Sequence, residues 1–218
     1  MGAAALQKQF ETVLGGHLDW QSQPAPERAP VGIPQLEVGL PRGCLTEIYG
    51  PPSSGRASLL AAILAEATGR EECCALVDAE DAFDPASAAA AGVRLDRLLW
   101  VRCAHSAEHA LKAADLLIQG GGFGVVAMDF GGTAPETARR ISLTSWFRLR
   151  RAVEHTPTVL VAVARQSNAK TCASLLLECR RERVMWSGGT RLLRAIEVRT
   201  TFTERRRACS PVFTATAI

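Results

Sequence analysis

At 218 residues, 47% hydrophobic and 22% charged, the chain is long enough for one globular domain with a buried core and too apolar to be disordered. A formal net charge of +3 and a pI near 8.6 are too mild for bulk charge alone to imply nucleic acid binding. The seven cysteines include no C-x-x-C pair, which leaves neither a zinc knuckle nor a disulfide framework and makes them small core residues of a reducing compartment.

The first residues, MGAAALQKQFETVL, lack a long apolar run, and no segment reaches the ~18 apolar residues of a membrane span. A soluble, intracellular protein with no membrane partner is expected. Residues 3–14 predict a short helix with Leu6, Phe10, Val13 and Leu14 near one face. The Pro-rich QSQPAPERAP (21–30) predicts a linker, which makes 1–30 an N-terminal extension and 31–218 the core domain.

From residue 44 strands and helices alternate. CLTEIY (44–49) predicts a strand, SLLAAILAEAT (58–68) a helix and CCALVD (73–78) a strand buried on both faces. PASAAAAG (85–92) predicts a short helix opened by Pro85 and closed before Gly92. RLLWV (97–101) is the next strand, and 106–119 a helix capped by Ser106.

FGVVAMD (123–129) is a strand ending in a carboxylate. Residues 136–154 predict one amphipathic helix with Ala138, Ile141, Ser145, Leu149 and Val153 on its inner side. Trp146 is expected in the core, with a stacking surface formed with Phe147 as the alternative. TVLVAVA (158–164) is another buried strand. The remaining pieces, CASLLLEC, ERVMW and LLRAIEVRTTF, predict antiparallel strands at a sheet edge. Such alternation implies an α/β fold, a mostly parallel sheet flanked by helices, with ligands at the carboxyl ends of the strands.

That end is where the chemistry-bearing residues fall. GPPSSGRAS (50–58) approaches the phosphate-loop pattern G-x-x-x-x-G-K-[ST], in which backbone N–H groups and a helix N-terminus cradle phosphates. Gly50, Pro51, Pro52, Ser53, Ser54 and Gly55 can supply that nest. Arg56 stands where Lys belongs, and its planar fork is not equivalent to an ammonium. Ala57 stands where a hydroxyl would hold Mg²⁺, and Ser58 follows one place too late. Cys103, His105 and His109 form a thin metal pattern, with helix-entry surface as the bland reading. Basic clusters occur at Arg139/Arg140, Arg148/Arg150/Arg151, Arg180/Arg181 and Arg205/Arg206/Arg207, as solvated faces or as partner or DNA contacts.

GLPRGCLTEIYGPPSSG (39–55), ALVDAEDAFDPASAAAAGV (75–93) and VVAMD (125–129) together resemble the core of bacterial RecA. The resemblance implies a RecA-like P-loop NTPase fold over about residues 31–218, with no counterpart of RecA's separate C-terminal domain. It gives Glu80 the place of the water-activating carboxylate, Asp129 that of the carboxylate acting through Mg²⁺, and Gln166 that of the γ-phosphate sensor. Ser87 stands where RecA stacks adenine on Tyr. The implied cofactor is ATP, bound weakly, with Mg²⁺ at Asp129 permitted and neither required. Only FGGTAP and SNAKT stand where RecA carries its long DNA-binding loops.

A trimmed core with an altered loop resembles the ImuA-type RecA-like accessory proteins of damage-induced translesion synthesis. The resemblance implies a non-catalytic scaffold in the bacterial cytoplasm, at the nucleoid, with translesion polymerase components or RecA as partners and weak DNA binding at most. Two alternatives stay open: a divergent RecA-type ATPase or recombinase in DNA repair, and a SulA-like inhibitor of cell division. The residues leave the oligomeric state open.

Overall fold

The computed structural model describes residues 26–187, 192–204 and 207–216, with backbone alone for 207–209. The predicted helix at 3–14, Arg205 and Arg206, and the side chain of Arg207 lie outside the described residues.

Two short strands, β1 (Arg28–Ala29) and β2 (Leu40–Pro41), pair antiparallel, so the end of the predicted linker is folded onto the core. Arg28 fixes it there by donating to Val38 O at 3.0 Å and by an ion pair with Glu204. The main sheet then alternates with helices. It contains β3 (Cys44–Tyr49), β4 (Cys74–Asp78), β5 (Leu98–Arg102), β6 (Val125–Asp129), β7 (Val159–Ala164), β8 (Leu175–Trp186), β9 (Leu193–Glu204), β10 (Arg207–Cys209) and β11 (Val212–Thr216). The helices are α1 (Arg56–Gly69), α2 (Pro85–Ala90), α3 (Ala107–Gly120), α4 (Pro135–Arg139) and α5 (Leu143–Val153).

The sheet order is β10-β9-β8-β3-β7-β6-β4-β5, with β11 also on β9. Every pairing from β8 to β5 is parallel, and those of β9 are antiparallel. Period-two alternation splits the buried strands between two layers. Ile48, Leu76, Ala127 and Val161 pack with Leu59, Leu60, Ile63 and Leu64 of α1. Leu45, Val77, Val126 and Leu160 pack with Ala110, Ala114 and Ile118 of α3 and with Trp146, Leu149 and Val153 of α5. This α/β architecture, with a parallel centre and an antiparallel edge, is the expected one.

Two elements depart from expectation. The single helix over 136–154 is two helices, because Ser142 accepts from Ser145 N at 3.1 Å and caps a new start. The reset phase places Trp146 in the core, 1% exposed and edge-on to Phe130, and leaves Ser145 half-buried. Phe147 stays on the surface. CASLLLEC and ERVMW join into one strand, β8, where a register irregularity between Arg181 and Arg183 absorbs the break in pattern. Among the described cysteines, Cys74, Cys103, Cys172 and Cys179 are core residues, whereas Cys73 is exposed. No helix among the described residues is long and apolar enough to cross a membrane.

Candidate functional site: a phosphate loop with an arginine

Parallel strands put their carboxyl ends on one side, so Tyr49, Asp78, Asp129 and Ala164 open into one region. Asp78 and Asp129 are register partners there. The loop from Gly50 to Gly55 leaves β3 and enters α1. Gly50 is packed so closely that a Cβ would meet Cys179 O at 2.2 Å, and Gly55 starts the helix at φ +89°. Pro51, Pro52 and Ser53 are exposed, whereas Ser54 is buried with an Oγ that has no partner.

Arg56, the first residue of α1, is 9% exposed, and its Nη1 has no hydrogen-bond partner. The guanidinium lies against the β6 exit: a Cβ at Gly131 would stand 3.3 Å from Arg56 Nη1 and 2.8 Å from Asp129 Oδ1. Burial lowers the pKa of Arg56, Asp129 opposes that fall, and the charge of Arg165 adds to it. Asp129 accepts from Gly131 N at 2.7 Å. Its pKa is raised, mainly by burial and further by Asp78, against the pull of that N–H and of Arg56. Ala57 and Ser58 are exposed and line a largely apolar cavity of about 410 Å³ with Asp84, Ser87, Asp129 and Phe213.

The fit to the two groups the fold implies differs. Two buried, unpartnered donors at a helix N-terminus suit phosphate oxygens. Mg²⁺ suits the site poorly: Ala57 offers no oxygen, and the Arg56 guanidinium lies near the carboxylate that would ligate the ion.

Glu80 is held rather than free. Its Oε1 accepts from Thr133 Oγ1 at 2.7 Å, and its Oε2 pairs with His105 Nδ1 at 2.9 Å. His105 is thereby placed as a partner of Glu80. Among the described residues no group of three or more His, Cys, Asp or Glu could hold a metal, so Cys103, His105 and His109 do not form a site. The bond to Glu80 raises the His105 pKa. The pair is therefore fully formed below the ordinary histidine value and is lost as pH rises through the raised one. An NMR titration should show the His105 midpoint above ~6.5 and falling back in Glu80→Gln. An unchanged midpoint in the variant contradicts the pairing.

Gln166 is exposed, and its Oε1 accepts from Arg139 Nη2 at 2.7 Å. The adjacent Arg165 donates to Gly131 O and Gly132 O, both at 3.0 Å, and closes the short β6–α4 connection. Asp84 caps α2 and also accepts from Ser87 Oγ at 2.5 Å. The arginine clusters lie on separate elements and are partly neutralised. Arg148 pairs with Asp115, Arg150 with Glu154 and Arg180 with Glu178, whereas Arg140, Arg151 and Arg181 are exposed.

Two carboxylates carry structural roles beyond the sequence reading, which placed Asp78 only as an acid at a strand end and passed over Glu47. Asp78, 1% exposed, accepts from the N–H groups of Glu80, Ala82 and Phe83 at 3.2, 3.1 and 2.9 Å and from Trp100 Nε1 at 3.2 Å. It shapes the turn that presents Glu80. Glu47, fully buried in β3, anchors the segment after Gln166. The signal was a charged residue inside β3, Glu47, and one closing the apolar run of β4, Asp78. Asp78→Asn turns an NH₂ toward two of four donors and should cost ~2 kcal/mol in urea unfolding. Unchanged stability would show that the turn holds without the carboxylate.

Residues 31–138 match the RecA N-terminal domain. The Protein RecA of Teredinibacter turnerae is 45% identical over 91 residues, which are 42% of this chain and 26% of that protein. The Protein RecA of Methylococcus capsulatus is 47% identical over 105 residues, 46% of this chain and 30% of its own length. That of Chloroflexus aurantiacus is 40% identical over 113 residues, 50% of this chain and 32% of its own. The chain thus spans about a quarter to a third of the curated relatives it matches. With its parallel sheet, its loop at the β3 exit and this match in sequence, the chain carries a RecA-like core.

Proposed function

We propose that this protein is a non-catalytic RecA-like accessory protein that docks on a translesion polymerase complex after DNA damage. One observation carries the non-catalytic half: Arg56 and Ala57 replace the Lys and hydroxyl of the phosphate loop, and the Arg56 guanidinium lies beside Asp129. Losing even one group that stabilises developing charge typically costs ~10²–10³ in rate. Glu80, tied to Thr133 and His105, would also have to be released before it could orient water. The connections after β6 and β7 are short, 130–134 and 165–169, which supports a role other than holding DNA in long loops.

The polymerase partner rests on the resemblance to ImuA-type proteins. Binding of the purified protein to an inactive Y-family polymerase homologue, read by size-exclusion chromatography, tests it directly. Co-elution supports docking, and separate elution of the folded proteins contradicts it.

A second reading, a divergent RecA-type ATPase, is favoured by the relatives, which carry the name RecA. In that reading Arg56 would serve in place of Lys. Mg²⁺-dependent ATP turnover stimulated by single-stranded DNA separates the two. The salt dependence of DNA binding adds a further check, since Z phosphate contacts give a log–log slope of about −0.9Z.

A further inference from the structure

The loop holds a combination that ordinary phosphate loops do not need. Arg56 is nine-tenths buried with Nη1 unpartnered, and Ser54 Oγ, also buried, is unpartnered too. Both sit at the N-terminus of α1, a 14-residue helix whose dipole favours an anion. Buried donors left unsatisfied are costly, and an anionic oxygen reaching either one would relieve it. The opposite pole is also in place: Arg56 and Asp129 crowd Gly131 from the same side, and each charge acts on the other.

We propose that the Arg56 guanidinium takes the place of a divalent cation, so that this loop binds a diphosphate group uncomplexed by metal. A cation near Asp129 offsets part of the carboxylate's charge, and its Nη1 has no protein partner to compete with an anion. A metal ion entering the same space would meet that positive charge and find no oxygen on Ala57. Arg56 stays protonated despite burial, because a guanidinium is not deprotonated in proteins.

The inference rests on reading the loop as a binding rather than a hydrolysing site. The test is calorimetric titration of ADP and of inorganic pyrophosphate into the full chain, once in EDTA and once in Mg²⁺, with phosphate release from ATP measured on the same samples. The expected result is an affinity in EDTA within about two-fold of that in Mg²⁺, weakened about 10-fold or more in Arg56→Gln. Asp129→Asn removes a negative charge facing the ligand and should tighten binding, whereas at a metal-dependent site it would weaken binding.

That second variant decides the matter if Arg56→Gln fails to fold. Binding of ADP alone assigns the site to a nucleotide, and equal binding of pyrophosphate to the bare diphosphate. Binding that needs Mg²⁺, binding lost in Asp129→Asn, or no binding of either probe overturns the proposal. Metal-free binding accompanied by turnover leaves the proposal standing and sinks the non-catalytic reading. Mg²⁺-dependent binding without turnover does the reverse.

Discussion

Glu47→Ala is expected to lower the unfolding free energy by ~3–5 kcal/mol and Tm by roughly 10 °C. Glu47 is 0% exposed in the middle of the sheet. Its Oε1 accepts from Asn168 N at 2.6 Å and Ala169 N at 3.0 Å, and its Oε2 accepts from Ser167 Oγ at 2.7 Å. Alanine leaves three donors without an acceptor, and a buried unsatisfied donor costs ~1–3 kcal/mol. The half-buried Ser167 and Asn168 can recover water, which keeps the total nearer the lower end.

Glu47→Gln separates charge from hydrogen bonding. Its amide oxygen can keep both N–H bonds, and its NH₂ can donate to Ser167, so the loss should stay under ~1.5 kcal/mol. Chemical denaturation of the two variants measures both values. If alanine cost no more than glutamine, Glu47 would not be the anchor of the segment that follows Gln166.

Gly50→Ala should cost about 3 kcal/mol or more, since overpacking a filled site costs ~1–3 kcal/mol and this contact is with rigid backbone. The new Cβ would stand 2.2 Å from Cys179 O and 2.7 Å from Ser54 Oγ. Either the β3 exit or β8 must shift, and a carbonyl in the middle of a strand has little room. Gly55→Ala combines a left-handed φ of +89° with a Cβ 2.4 Å from Val198 Cγ2. The left-handed backbone adds ~1–2 kcal/mol to the crowding. Gly69→Ala is the control, because nothing lies within 4 Å of a Cβ there. Melting curves for all three that coincide with the parent would refute this packing of the loop against β8 and β9.

Most of the fold was legible because its signals are local. CALVD and VLVAVA are continuous apolar runs, as strands covered on both faces require, and helix 107–120 begins at its Ser106 cap. The break at 140–142 was not legible, because a capping Ser inside an amphipathic pattern reads equally well as a polar position on one helix. Joining ERVMW to the preceding strand depends on pairing with β9, which no local pattern encodes.

The site was legible as a set of positions and much less as a set of contacts. The spacing of Gly50, Gly55 and Arg56 located the loop, and the strand ends located Asp129 and Gln166. That Arg56 would lie against Gly131 near Asp129, that His105 would hold Glu80, and that Gln166 would face Arg139 are tertiary contacts across 25 to 75 residues of chain, beyond any sequence motif. Asp78 and Glu47 look like ordinary strand carboxylates until their buried donors are counted.

The most direct test of the account is ATP turnover by the purified protein in Mg²⁺, with and without single-stranded DNA, beside its Glu80→Gln variant. Phosphate release should stay at background in both proteins, unchanged by DNA. Turnover that needs Mg²⁺, rises with DNA and disappears in Glu80→Gln would contradict it and make Arg56 a working replacement for lysine.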